Sequence, residues 1–418
     1  MKWRTMSLDA IKAPVPYAFV GGPFGSNLTT RDYIEEGIPV IRGNNLPAEA
    51  WFHDDDFMFV SEKKADDLRS NTAFPGDVVF TQRGTLGQVG VIPQDSRFQR
   101  YIISQSQMKL TVDPGIADPR FVYYFFRNPA TVQKVINHAL TSGVPHINLG
   151  ILREFKITLP EVASQERIAD ILSAYDSLIE SNRRRMVLLE EMARQLYREW
   201  FVRLRFPGHE HTRITNCVPE GWERRVFADA CASLEDGDWI ETKDQGGDDF
   251  RLLQISNIGV NEFVETGNFR YVTEQTFKHL SCRELLPGNI LIARMPKPIG
   301  RAWLVTEMPW RMITAVDAAI AVANDELADA YFLTHYLNSP ASLEHCERRA
   351  VGATRPRVAR RELAELPLLL PPRRLQAHFR EFAAPINRQR ALLYRQNEKL
   401  SATRDLLLPR LMSGEIAV

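Results

Sequence analysis

The sequence predicts an α+β protein: two mixed α/β domains in tandem repeat, separated by two long helices that form an antiparallel coiled-coil spacer. Three observations carry this expectation. The length, 418 residues, accommodates two to three domains at roughly 150 residues each. Motifs recur at an offset of about 211 residues. Each copy ends in a run whose apolar residues step by three and four, the spacing of a heptad seam. The expected layout is residues 1–160 for the first domain, 161–206 for the first long helix, 207–371 for the second domain with a short linker, and 372–418 for the second helix.

The repeat is visible in several places. Phe59-Val60-Ser61-Glu62 matches Tyr271-Val272-Thr273-Glu274, and Pro75-Gly76-Asp77-Val78-Val79 matches Pro287-Gly288-Asn289-Ile290-Leu291. Val40-Ile41 ahead of Asn45 matches Leu252-Leu253 ahead of Asn257, and Leu159-Pro160 matches Leu370-Pro371. Trp3 with Leu8 echoes Trp222 with Phe227 at a slightly different offset. Chance similarity between two α/β segments would not hold one offset and one order of elements.

Each front part is mixed. Val78-Val79-Phe80, Val89-Gly90-Val91-Ile92 and Gln107-Met108-Lys109-Leu110 are strand-like runs bounded by Gly, Pro and Asp. A helical patch follows from Pro119 to His138, with its counterpart from Leu327 to Arg348.

The back parts are helical. The first seam runs Leu172, Tyr175, Ile179, Asn182, Met186, Leu189, Ala193, Leu196, Trp200. The second runs Phe379, Phe382, Ile386, Gln389, Leu393, Gln396, Leu400, Thr403, Leu407; it is more polar, and Pro385 should break or kink it. Ser164 is placed to cap the first helix, and Pro207-Gly208 closes it. One amphipathic helix cannot bury its stripe alone, so two in one chain can bury each other. The alternatives are that each packs on its own domain, or that the coil joins two chains. Asn182 suits a register-setting polar position.

Composition narrows the function. Fifty-two basic residues balance fifty-two acidic ones, so a uniformly basic protein is excluded, and a DNA binder would need its positive charge segregated. The four cysteines show no metal-ligand or disulfide spacing, which fits a reducing cytoplasm. No apolar run is long enough for a membrane span.

Catalytic motifs are sparse. Gly21-Gly22-Pro23-Phe24-Gly25 contains a proline and lacks GxGxxG spacing, so it reads as a turn. No P-loop, GxSxG or methyltransferase NPPY loop is present; Asn128-Pro129-Ala130-Thr131 falls short of the last. His209-Glu210-His211 is a weak metal signal. Asp54 to Asp56 ahead of Glu62-Lys63-Lys64 imitates a metal-dependent nuclease, the competing functional class, though a solvated acidic loop fits better.

What remains suits recognition. Half one carries Arg42-Gly43-Asn44-Asn45, Gln82-Arg83-Gly84-Thr85-Leu86-Gly87-Gln88, Ser104-Gln105-Ser106-Gln107 and Ser142-Gly143-Val144-Pro145-His146-Ile147-Asn148. Arg pairs with guanine, and Asn or Gln with adenine. Half two places Arg294-Met295-Pro296-Lys297-Pro298-Ile299-Gly300-Arg301 and Arg355-Pro356-Arg357 at equivalent points. Arginines at 183–185, 194, 198, 203 and 205 load the first helix, and those at 348–349, 355, 357, 360–361 and 373–374 lead into the second. Such a basic strip suits phosphate contacts.

These stretches resemble one family, the specificity (S) subunit of type I restriction-modification systems. The resemblance rests on Gly22-Pro23-Phe24-Gly25-Ser26-Asn27-Leu28, on Pro75-Gly76-Asp77 with Gly84-Thr85-Leu86-Gly87, on Ser142-Gly143-Val144-Pro145-His146-Ile147-Asn148, on Gln165-Glu166-Arg167-Ile168-Ala169-Asp170-Ile171-Leu172, on Trp200-Phe201 and on Pro219-Glu220-Gly221-Trp222. The terminal Leu406-Leu407-Leu408-Pro409-Arg410-Leu411-Met412-Ser413-Gly414-Glu415-Ile416 adds to it. It covers essentially the whole chain. It implies two target-recognition domains, each reading one part of a bipartite site in double-stranded DNA, and helices that dock two methyltransferase subunits. Those partners bring S-adenosylmethionine and catalysis, and restriction subunits bring ATP-driven cleavage. The chain itself is then non-catalytic, cytoplasmic, and expected to need no cofactor or metal. The implied DNA contacts are Arg42, Asn44, Asn45, Arg83, Thr85, Gln105, Gln107, His146, Asn148, Arg294, Lys297, Arg301, Arg355 and Arg357. The implied partner contacts are Leu189, Leu196, Trp200, Phe201, Leu400, Leu407 and Leu411. Half two departs from the pattern where Met295-Pro296-Lys297-Pro298 stands in place of Arg83-Gly84-Thr85-Leu86.

Overall fold

A computed structural model describes residues 3–48, 50–139 and 146–418. The chain forms two compact units: residues 1–182 with 395–418, and residues 183–394. The two long helices, α1 (Val162–Tyr197) and α2 (Arg373–Ser413), each contribute to both units.

In unit one, strands Phe19–Gly21, Gln107–Leu110, Val78–Thr81 and Val89–Val91 form an antiparallel sheet in that order. Three of these strands are buried throughout, which explains their near-continuous apolar runs. Alternate side chains serve two cores. Val78, Phe80, Met108 and Leu110 pack with Leu8, Phe121 and Tyr124. Val79 faces Ile41, Tyr101 and Ile103 of a second, five-stranded sheet. In that sheet Ile38–Ile41 and Tyr101–Ile103 run parallel.

Unit two repeats the plan. Strands Cys231–Asp236, Ala318–Ala323, Ile290–Ala293 and Ala302–Leu304 take the same order. Phe250–Leu253 runs parallel to Arg311–Thr314 in a three-stranded sheet. Local chemistry repeats as well. Asp77 accepts from the Phe74 amide and Asn289 from the Leu286 amide, each at 2.9 Å. Ser61 and Thr273 cap the equivalent helices. One buried feature is not repeated: Lys109 pairs with Asp77 at 3.0 Å, whereas Ile320 and Asn289 stand in their places. Both partners change together, so no charge is left buried alone.

The expected helical patches are each two helices, Pro119–Arg127 with Pro129–Asn137, and Ala330–Leu337 with Pro340–Arg349. Proline cannot sit inside a helix without losing a hydrogen bond, but it suits the first turn. Asn128 and Ser339 therefore cap new helices at these points.

Helix α1 begins at Val162, so Ser164 lies inside the first turn, buried, and is not the cap. A π-turn, Arg198–Val202, follows α1. Pro385 does not break α2, which runs through it. The proline's cost, about 3 kcal/mol, is offset by the burial of Phe379, Ala383 and Leu393 around it.

The seam of α1 is the expected one. That of α2 is shifted by one residue at alternate steps: Phe382 is exposed and Ala383 buried, and Gln389, Gln396 and Thr403 face outward while Arg390, Asn397 and Arg404 face inward. In unit one, Arg404 pairs with Asp176 at 2.5 Å, and the Asn182 amide donates to Asn397 Oδ1 at 2.9 Å. In unit two, Arg390 pairs with Glu190. Within each unit, residue numbers rise along one helix as they fall along the other, so the helices are antiparallel.

Candidate nucleic-acid interface

In unit one, most of the expected recognition segments meet at one end of the sheets. The Gln82 amide donates to the Ser106 carbonyl at 2.6 Å, and its own carbonyl accepts from Ile147 at 3.0 Å. Arg83 forms a β-bridge with His146. The Gln105 amide donates to the Leu28 carbonyl at 2.9 Å and also to that of Gly25. Gly43 lies beside the side chains of Gln88 and Gln107. Loops from both sheets thus share one surface, on which Asn44, Arg83, Thr85, Gln105 and Asn148 are exposed. Residues 142–145 of the last segment lie outside the described residues.

Several expected base contacts do structural work instead. Asn45 is fully buried: its Oδ1 accepts from the Arg42 amide at 2.9 Å, and its Nδ2 donates to the His53 and Asp55 carbonyls. Asn257 makes the same turn in unit two. Gln107 is also fully buried. Asn148 caps the helix Leu149–Glu154 by accepting from Ile151 at 2.9 Å. Arg42 and Asn44 hold Asp56 through its backbone carbonyl and carboxylate.

Unit two builds the same corner with different chemistry. Arg294 stands where unit one has Gln82, and its backbone carbonyl accepts from Val358 as that of Gln82 does from Ile147. Its guanidinium is buried, pairing with Asp236 and donating to the Val358 carbonyl at 3.0 Å. Arg301 is buried too and donates to four backbone carbonyls, those of Ile255, Ile258, Pro296 and Pro298. Burial lowers the pKa of both arginines. Both guanidinium groups thus hold the folded corner together, Arg294 through Nε and one terminal nitrogen and Arg301 through Nε and both. Arg357 is held by the Val316 carbonyl and Asp317. Lys297 and Arg355 remain exposed, Lys297 beside Glu347.

The basic strip is largely neutralised. Arg194, Arg203, Arg205, Arg348, Arg349, Arg360, Arg361 and Arg373 all have carboxylate partners. The expected partner contacts are corrected likewise. Trp200 and Phe201 are buried in the core of unit two with Phe379, and Leu411 in that of unit one. Leu189, Leu196, Leu400 and Leu407 are half-buried in the seam. Other apolar side chains of the helices face outward, among them Leu178 and Leu406 in unit one and Val187, Leu188, Met192, Phe382 and Leu392 in unit two.

The nuclease-like acids are committed elsewhere. Asp54 accepts from the Tyr101 hydroxyl at 2.8 Å and from the Arg97 amide, whereas Glu62 and Asp66 hold Arg100.

Sequence reasoning missed a polar network in unit two. Asn261 Nδ2 donates to Glu190 at 2.7 Å and to His335 Nδ1 at 2.9 Å, while its carbonyls accept from Asn338 and Arg390. With Nδ1 accepting, the neutral imidazole carries its proton on Nε2. Burial, aided by the Arg390 charge, pushes the His335 pKa down to about 3. Burial also raises that of Glu190, against the pull of Arg390.

Two copies of one fold, each gathering polar loops on the same corner, define a tandem-repeat recognition protein. Residues 29–191 match the Type I restriction modification DNA specificity domain. The chain is 21% identical over 352 residues to the type I restriction enzyme MjaIX specificity subunit of Methanocaldococcus jannaschii, covering 82% of this chain and 79% of that one. It is 20% identical over 409 residues to the HindI specificity subunit of Haemophilus influenzae, covering 82% and 86%. Its fold resembles the crystal structure of a type I restriction-modification S subunit from M. genitalium, with a TM-score of 0.58 at 16% identity over 98% of this chain and 96% of that one. These likenesses are all to specificity subunits of type I restriction-modification systems. Among the described residues no helix is long and apolar enough to cross a membrane.

Proposed function

We propose that this chain is the DNA sequence-recognition subunit of a type I restriction-modification complex, each unit reading one part of a bipartite site. The observation that carries this is the repeated corner: Gln82 with Ile147, and Arg294 with Val358, fix equivalent loops on equivalent sheets. Catalysis belongs to two methyltransferase subunits, and restriction subunits join through the complex. The chain works in the cytoplasm, where its four free cysteines stay reduced. The docking face for the methyltransferase subunits is formed by exposed helix residues such as Leu188 and Met192.

The test is site selection from a randomised duplex library by the chain co-expressed with its methyltransferase subunits. A bipartite motif is expected. Ala substitutions at Arg83 and Thr85 should relax one half of it, and at Lys297 and Arg355 the other. Loss of both halves from one cluster would defeat the two-reader model. Leu188→Asp with Met192→Asp should release methyltransferase subunits while the chain stays folded.

A further inference from the structure

Phe24 and Trp239 occupy equivalent places that the 211-residue offset does not reveal. In unit one, Gly21 pairs with Met108, and the next amide, that of Gly22, donates to the Gln107 carbonyl at 2.8 Å. In unit two, Asp236 pairs with Ala319, and the Gly237 amide donates to the Ala318 carbonyl at 2.9 Å. Both positions require glycine for the same reason: a Cβ would fall 2.0 Å from the Ser104 carbonyl oxygen in one case and 2.3 Å from that of Ala315 in the other. Two residues beyond each glycine stands an aromatic ring, Phe24 or Trp239.

Both rings face solvent, Phe24 with 90% of its surface exposed and Trp239 with 71%. Their backbones are nonetheless pinned. The Gln105 amide holds the carbonyls of Gly25 and Leu28 on one side of Phe24. The Asp238 amide donates to the Thr314 carbonyl at 2.8 Å, and its carboxylate accepts from Arg283 at 3.0 Å. A scattered exposed aromatic calls for no explanation. A ring held out from the same strand end, beside the polar loops, in both copies of a diverged repeat does call for one.

We propose that Phe24 and Trp239 are aromatic wedges, each stacking on a base within the half-site read by its own unit and partly opening that base step. The inference rests on the reading of the chain as a DNA-recognition subunit. The chemistry favours DNA over a protein partner. Polar side chains border both rings: Gln105 is exposed beside Phe24, and the Trp239 indole N–H donates to the Glu241 carboxylate at 3.4 Å. Base faces are the flat apolar surfaces a duplex can offer, and Phe is among the side chains that bending proteins insert between steps.

The test uses the chain assembled with its methyltransferase subunits and duplexes carrying 2-aminopurine at successive half-site positions, away from the methylated adenines. Unstacking raises 2-aminopurine emission. The wild-type complex should raise it at one step in each half-site. Phe24→Ala should abolish the rise in one half-site only, and Trp239→Ala in the other only, each weakening binding about 5- to 150-fold. Phe24→Trp and Trp239→Phe should restore both signals. Alanine variants with undiminished emission and affinity would overturn the proposal. Loss of methyltransferase subunits from those variants on size exclusion would overturn it too, by making the rings protein anchors. If the wild-type complex shows no sequence preference, the recognition reading falls and the wedges with it; preference with unchanged emission removes the wedges alone.

Discussion

Gln165 and Gln376 make the same three hydrogen bonds, 211 residues apart. Gln165 donates to the Ile116 and Pro160 carbonyls at 3.0 and 2.9 Å and accepts from the Asp118 amide at 3.1 Å. Gln376 donates to Leu327 and Pro371 at 3.0 and 2.8 Å and accepts from Asp329 at 2.8 Å. Each side chain is fully buried and ties the start of a long helix to the loop before a domain helix. Gln165→Leu keeps the volume but orphans three backbone groups. It should cost about 1–3 kcal/mol, measured by urea unfolding. Gln376→Leu should cost a similar amount; an unchanged midpoint in both would show that water replaces the amide.

The helix seam should be selective about charge. Asp176 accepts from Arg404, from the Tyr124 hydroxyl at 2.5 Å and from the Trp51 indole at 3.0 Å, largely out of solvent. Asp176→Ala leaves the Arg404 guanidinium only the exposed Asp405 and orphans the Tyr124 hydroxyl and the Trp51 indole, and should destabilise by about 1–3 kcal/mol. The double variant Asp176→Leu with Arg404→Met should recover most of that loss. A double-mutant cycle on unfolding free energies checks this, and additive losses would deny the coupling.

His335 should make stability depend on pH. Its folded-state pKa of about 3 lies below the unfolded value of 6.5, so the unfolded chain binds the extra proton between those limits. Its contribution is complete above about pH 6.5 and is lost as pH falls, at up to about 1.4 kcal/mol per pH unit. Glu190 opposes this, since its raised pKa favours the folded state at low pH. Comparison with His335→Gln isolates the histidine. The difference in unfolding free energy between the two proteins should decline from pH 7 to pH 4, and a flat difference would mean that the imidazole titrates normally.

The arginines of unit two should separate into two groups. Arg301→Ala removes donors to four carbonyls and should lower the thermal midpoint, with a cost of about 3 kcal/mol. Arg355→Ala and Lys297→Ala should leave the melting curve unchanged. Each should weaken DNA binding, relax the half-site that unit two reads, and lower the salt dependence of binding. Titrations at several salt concentrations, beside calorimetry, distinguish the groups; an unfolded Arg355→Ala would contradict the assignment.

Much of this architecture is legible in the sequence because it is written twice. Val78-Val79-Phe80 and Ile290-Leu291 each mark a buried central strand, and the Asn45 and Asn257 motifs each mark a turn. The function of those asparagines is not legible, because a polar side chain that closes a turn and one that reads a base look alike in sequence. Arg294 and Arg301 mislead for the same reason: burial is a property of the folded corner. The α2 seam departs from its apolar template where Arg390, Asn397 and Arg404 occupy inward positions, since such a template passes over polar residues. Phe24 and Trp239 escaped comparison because the local spacing changes ahead of them, and only strand pairing aligns them.

The polar residues in the seam also make sliding between the helices a matter of discrete steps. A slip of one heptad in unit one would bring Asp176 opposite Asn397 and leave Arg404 facing Ala169, with only its helix neighbour Asp405 to hold it. An all-leucine seam would tolerate that slip at little cost. The alignment of the helices is therefore set by side chains of the helices themselves. A recognition loop can lengthen, shorten or be exchanged wholesale, and the frame that carries it keeps its zero point.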